Sequence, residues 1–247
     1  MVEAAATRTL VIACGALARE LLAIVKLNRL DNVTIECLPA ALHNRPKEIP
    51  DAVRARIDRA RRQGEVRAPK AETGADSSHM PVDAAAFDPV DHEVRVLEAE
   101  TGADGSRYDS IFVAYADCGT GGLLQQVCEE EGVEMLSGAH CYEFFATAPR
   151  FAEIQDAEIG SFYLTDFLAR HFDRMVWQGL GLDRHPELLP MYFGNYTRLV
   201  YLAQTDDPEL LALAEAGAER LGLTMLVERT GYGELEETMV ELTGTAR

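Results

Sequence analysis

Positive charge is scarce in this chain. Its 23 Lys and Arg stand against 41 Asp and Glu, a formal net charge of −18. A field of that sign repels phosphate backbones and anionic lipid, which argues against nucleic-acid and membrane-surface partners. Long hydrophobic runs are missing as well: none reaches the roughly 18 residues of a membrane span. The opening "MVEAAATRTLVIACGAL" has an apolar stretch but no basic segment ahead of it, and it runs on as "ARELLAIVKL" with helical spacing. It reads as the first strand and helix of the fold, and a cytoplasmic protein is the expectation. Cysteine is sparse and oddly counted, with Cys14, Cys37, Cys118, Cys128 and Cys141 making five and no C-x-x-C knuckle. That excludes a zinc ribbon and weighs against a disulfide framework, leaving metal binding or reactive thiols as the functional alternatives. The glycine loop "CGTGG" at 118–122 lacks both a Walker lysine and a full G-x-G-x-x-G, so a nucleotide is disfavoured there.

What is present is a soluble-domain composition, 47% hydrophobic over 247 residues, ample for a large core. The pattern alternates strand and helix. Residues 8–13 form a short apolar run, Gly15 turns the chain, and Leu17, Leu21, Leu22, Val25 and Leu27 then fall mostly on one helical face. "NVTIECLP" reads as a second strand, followed by a loop with His43 and the basic helix "DAVRARIDRARRQ". Strand 110–116, the glycine loop and helix 121–131 form the next unit, and "VEMLSGAHCYEFF" another strand and helix. "TRLVYLAQTDDPELL" promises a strand and a helix begun by Asp206, Asp207 and Pro208. The expected fold is α/β: a mostly parallel sheet with helices on both faces, in Rossmann-like βα repeats. It reads as a single domain over 1–247. Residues 64–107 are acidic and repeat "AETGAD" at 71–76 and 99–104. They read as a surface insertion or flap, with one possible strand at "HEVRVLEA".

Three cysteines recur in one context: a strand, small residues with the thiol, then a helix. Cys14 follows "LVIA", Cys118 follows "FVAYAD" and Cys141 follows "EMLSGAH". In an open parallel sheet such loops share the carboxyl edge, where ligands bind. A helix N-terminus would favour the thiolate at each. His43 would supply an imidazole to the same edge, and His140 adjoins Cys141. The bland alternative is that each is a small buried hydrophobe, which is the reading for Cys37, within a strand, and Cys128, within a helix. Asp117, Gly119, Gly121, Tyr163, Tyr192 and Arg198 are candidates for the pocket wall or for support of the ligands. For Thr165 and Asp166, helix capping is at least as good a reading as a pocket role.

The set "VIACGAL", "LPAALHNRP", "YADCGTGG", "GAHCYEFF" and "GSFYLTDF" resembles the domain-of-unknown-function 1638 family of archaea and bacteria. The resemblance covers most of the chain outside the acidic insertion. It implies that Cys14, His43, Cys118, His140 and Cys141 are the motif residues, and it suggests a setting beside corrinoid-dependent methyl transfer. The family's loop often reads Tyr-Gly-Leu-Cys-Gly, whereas here Tyr115 is followed by Ala116, Asp117 and Cys118. The resulting expectation is a metal-dependent enzyme or accessory protein of methyl-transfer or one-carbon metabolism. Zinc would be held by Cys14, Cys118, Cys141 and His43, with a small-molecule substrate or a corrinoid protein as partner. The alternatives are a three-cysteine [4Fe-4S] cluster with an open iron, and a non-catalytic corrinoid- or metal-binding protein.

Overall fold

The computed structural model describes residues 7–62 and 107–242, with the backbone alone of 94–95. The rest of the predicted insertion at 64–107, apart from Arg107, lies outside the described residues. The sequence reads as one domain; by packing the chain divides into two compact units, residues 1–140 with 236–247, and residues 141–235. Each unit has its own parallel sheet.

In the first unit β1 (Thr9–Cys14) lies at the centre. It pairs in parallel with β2 (Val33–Leu38) on one side and with β4 (Ser110–Ala114) on the other. The antiparallel β3 (Val94–Arg95) closes the far edge of β2, and β5 (Glu134–Met135) lies parallel beyond β4. The strands are almost continuously apolar because both faces are covered. Leu10 and Ile12 project into a cluster with Val53, Ile57 and Ala60 of α2 (Ile49–Arg62) and Leu124 and Cys128 of α3 (Leu123–Glu131). Val11 and Ala13, on the opposite pleat, are equally buried. Each such aliphatic side chain removed from water contributes about 1.5–3 kcal/mol. After β1 a turn of 3-10 helix leads into α1 (Ala18–Asn28), whose Leu21, Ile24 and Val25 are buried.

Two polar features tie the helices of this unit. Glu36 of β2 and Arg56 of α2 form an ion pair, both buried, which Arg59 approaches at 3.8 Å. On the surface Arg54 of α2 reaches Glu130 and, at 2.8 Å, Glu131 of α3, and Arg61 also pairs with Glu131. Exposed pairs of this kind contribute about 0–1 kcal/mol each.

The second unit carries α4 (Cys141–Ala146) and α5 (Ala148–Ala157), then β6 (Ser161–Thr165) leading into α6 (Asp166–Arg170). After α7 (Leu189–Phe193) come β7 (Arg198–Ala203), α8 (Pro208–Leu221) and β8 (Thr224–Arg229). The three strands are parallel in the order β6-β7-β8. The helix starts follow the side chains read from the sequence. Thr165 Oγ1 accepts from Leu168 N–H at the head of α6, and Asp207 accepts from Glu209 N–H with Pro208 in the first turn of α8. The last helix, α9 (Glu234–Leu242), follows the turn at "TGYG". Among the described residues no helix is long and apolar enough to cross a membrane.

Candidate functional site

Because β1 and β4 are parallel neighbours, their carboxyl ends deliver Cys14 and the loop bearing Cys118 to the same stretch of sheet edge. Two more loops join them. Cys118 N–H donates to Ala139 O at 2.9 Å and Asp117 N–H to Gly138 O at 3.1 Å, which fastens the glycine loop to the loop after β5. A β-carbon on Gly119 would stand 3.6 Å from Pro46 Cβ and Cγ, in the loop after β2 that also carries His43. The edge therefore gathers loops with Cys14, His43, Cys118 and His140. None of the five cysteines is in a disulfide; Cys14 and Cys118 are partly buried and pack on the same apolar cluster.

The electrostatics of Cys14 correct the thiolate expected at a helix start. Burial pushes its pKa up to about 12, against which the Ala16 N–H bonded to the sulfur works only in part. The neighbouring Cys118 raises it further, the Tyr115 hydroxyl lowers it, and Glu20 raises it. Desolvation wins because one N–H and one hydroxyl do not replace the water a thiolate would lose. Cys14 is a protonated thiol at neutral pH. Cys37 and Cys128 are the buried hydrophobes that their positions within a strand and a helix suggest. Burial raises both, Cys128 to about 11.

Tyr115, the residue after β4, is 2% exposed, and the hydrogen-bonding group beside its hydroxyl is the Cys14 thiol. Burial together with the nearby Cys14, Cys37 and Cys118 holds the hydroxyl's pKa well above the usual tyrosine value. The imidazoles form a second pair. Burial of His43 and then the charge of His140 lower the pKa of His43, which is neutral at pH 7, while His140 is exposed. Neutral imidazole is the form that binds metals.

The glycine loop holds its own anion. Cys118, Gly119, Gly121 and Gly122 have φ of 49°, 84°, 67° and 85°, so successive N–H groups turn inward. Asp117 fills the concavity: its carboxylate accepts from Thr120 Oγ1 at 2.7 Å, Gly122 N–H at 2.7 Å and Gly121 N–H at 3.1 Å. Partial burial works to raise the carboxyl, but the bonds from Thr120, Gly122, Gly121 and Gly119 outweigh it and leave the pKa below the usual carboxylate value. These donors are spent within the loop, which removes the phosphate-cradle reading. Asp117, Gly119 and Gly121 shape the turn that presents Cys118.

The remaining predicted residues lie in the second unit. Cys141 is the first residue of α4 and partly buried. Tyr163 sits in the core of that unit, its ring stacked on Tyr142 at 5.3 Å and its hydroxyl donating to Gln155 Oε1 at 3.0 Å. Arg198 opens β7 at the amino end of the sheet and donates to Ser161 Oγ at 2.8 Å and Ile154 O at 2.6 Å. Tyr192 on α7 is 39% exposed. Asp166 is buried at the carboxyl end of β6 and accepts from Tyr201 Oη at 2.7 Å, Gln204 N–H at 3.1 Å and Thr205 Oγ1 at 2.6 Å, which locks β6 to β7. Among the described residues no three His, Cys, Asp or Glu side chains are gathered to hold a metal ion. Sequence reasoning passed over Tyr115, although a hydroxyl inside the apolar run "IFVAYA" is the available signal.

Residues 94–239 match the family described as "Protein of unknown function (DUF1638)". The match takes in Tyr115, Cys118, His140 and Cys141, whereas Cys14 and His43 precede it. No curated protein and no solved structure matches the chain. With more than half of its 247 residues covered, the chain belongs to the DUF1638 family.

Proposed function

We propose that the carboxyl edge of the first sheet is a soft-metal site, with Cys14 and Cys118 as thiolate ligands and His43 as the imidazole. The observation that carries this reading is the placing of two thiols on one stretch of sheet edge, Cys14 at the end of β1 and Cys118 in the loop after the adjacent parallel β4, near enough for Cys118 to raise the pKa of Cys14. A neutral His43 in the loop packed beside them adds the third donor type. Thiolate and imidazole suit zinc. The donors do not converge in the arrangement described, so uptake has to displace the thiol protons and draw the loops together, as metal binding coupled to local folding does. The family resemblance supports a setting in methyl-transfer or one-carbon chemistry in the cytoplasm, as an enzyme or as an accessory to a corrinoid protein, with a small-molecule substrate.

The test is elemental analysis of anaerobically purified full-length protein beside Cys14→Ser and Cys118→Ser, each checked for native circular dichroism. The reading predicts about one zinc per wild-type chain and a severe loss in both folded variants. Equal metal content in all three proteins, or a metal-free wild type, contradicts it. A brown, iron-loaded wild type would transfer the site to an iron–sulfur cluster.

A further inference from the structure

We propose that β8 is the surface on which two copies of this chain join, its outer edge pairing antiparallel with β8 of a second copy across a two-fold axis at Leu226. β8 is the edge of the second sheet, paired in register along its six residues with β7 and with no other strand among the described residues. The Thr224 and Thr230 N–H groups donate towards β7, to Thr197 O and Ala203 O. Alternation along the strand therefore turns the backbone of Met225, Val227 and Arg229 outward, where it offers hydrogen bonds to another strand. The usual guards of an edge are missing: the ladder has no bulge, and "TMLVER" holds no proline or lysine. Its charges stand only at the last two positions, and each is matched within its own copy. Glu228 accepts from Arg150 Nε and Nη2, both at 2.9 Å, and Arg229 Nε donates to Asp206 at 2.8 Å.

Outward backbone must face outward backbone, which restricts a two-fold pairing near the middle of the strand to two registers. One sets the axis at Val227, and lays Glu228 against Leu226 of the second copy and Arg229 against Met225. The other sets it at Leu226, so that Leu226 meets itself, Met225 meets Val227 and the Glu228 carboxylate faces the Thr224 hydroxyl. This second register matches apolar with apolar, sets no like charges opposite each other, and covers Leu226, which is 37% exposed. The strand carries one acid and one base, so the contact is locally neutral in a chain of net charge −18. β6, at the other edge, is largely buried, so the pairing closes at two copies and joins their three-stranded sheets into one.

Sedimentation velocity on the full-length protein, with its thiols kept reduced, reads the assembly. The proposal predicts a dimer, weakened about 10-fold or more in Leu226→Arg, which sets like charges on the axis. Circular dichroism checks that the variant is folded. Cross-linking reads the register: residues opposite each other in a non-hydrogen-bonded pair bring their Cα atoms to about 4.5 Å, within disulfide reach. Leu226→Cys should therefore close to a covalent dimer under oxidised glutathione, beyond anything wild type forms, whereas Thr224→Cys, displaced from the axis, should not. A monomeric wild type overturns the proposal, including one whose β8 amides resist hydrogen exchange, which would give the edge to another segment of the chain. A dimer that Leu226→Arg leaves intact and Leu226→Cys does not lock overturns it equally, by placing the contact elsewhere.

Discussion

At the scale of the residue, Cys118 has the least comfortable backbone at the site. Its φ of 49° is a left-handed conformation that a β-carbon makes costly, in a loop where Gly119, Gly121 and Gly122 take positive φ freely. A cysteine kept there points to a need for its sulfur. Comparing two substitutions isolates that strain: Cys118→Ala loses the sulfur and keeps the β-carbon, and Cys118→Gly loses both. Thermal unfolding should find the glycine variant more stable than the alanine variant by about 1 kcal/mol, and equal stabilities would show that the loop is unstrained. Cys14 was legible as a candidate from its strand–thiol–helix context. Its protonation was not, because spacing reveals the helix start but not how far the surrounding side chains shut out water. Asp117 was likewise visible as an acid in a glycine loop. Only three-dimensional placement shows it accepting the hydrogen bonds an external anion would need.

At the scale of the element, the βα alternation carried most of the fold. The first strand, read at 8–13, is Thr9–Cys14, and the helix after the glycine loop, read at 121–131, is Leu123–Glu131. The strand expected within "HEVRVLEA" is the two-residue β3. Apolar periodicity finds such elements well because burial on both sheet faces demands it. It misleads where an element buries charge. The basic helix α2 looks like a solvated surface helix, yet Arg56 is 2% exposed and paired with Glu36 of β2. Removing one partner of a buried pair leaves a charge behind in low dielectric, so Arg56→Met should destabilise the protein by about 3–5 kcal/mol. Replacing both, with Glu36→Leu added, should recover most of that loss. Denaturant unfolding measures both variants; a single mutant as stable as wild type would mean the pair does not anchor α2 to the sheet.

At the scale of the whole molecule, the chain packs as two compact units, each with its own mostly parallel sheet. The βα rhythm continues through residues 141–235 without a Pro- or Gly-rich linker to mark a boundary. The division decides how much of the candidate site is assembled by one fold. Cys14, His43, Tyr115, Cys118 and His140 belong to the first unit, whereas Cys141 begins the second. The family match spans residues from both units. The central claim is that the first sheet's carboxyl edge binds a soft metal through Cys14 and Cys118. The most direct measurement is metal K-edge X-ray absorption on anaerobically purified full-length protein, with Cys14→Ser alongside. The account predicts sulfur scatterers at about 2.3 Å from zinc, with nitrogen completing the shell, and fewer sulfurs in the variant. A shell of oxygen and nitrogen alone, or a sulfur count unchanged by Cys14→Ser, would contradict it.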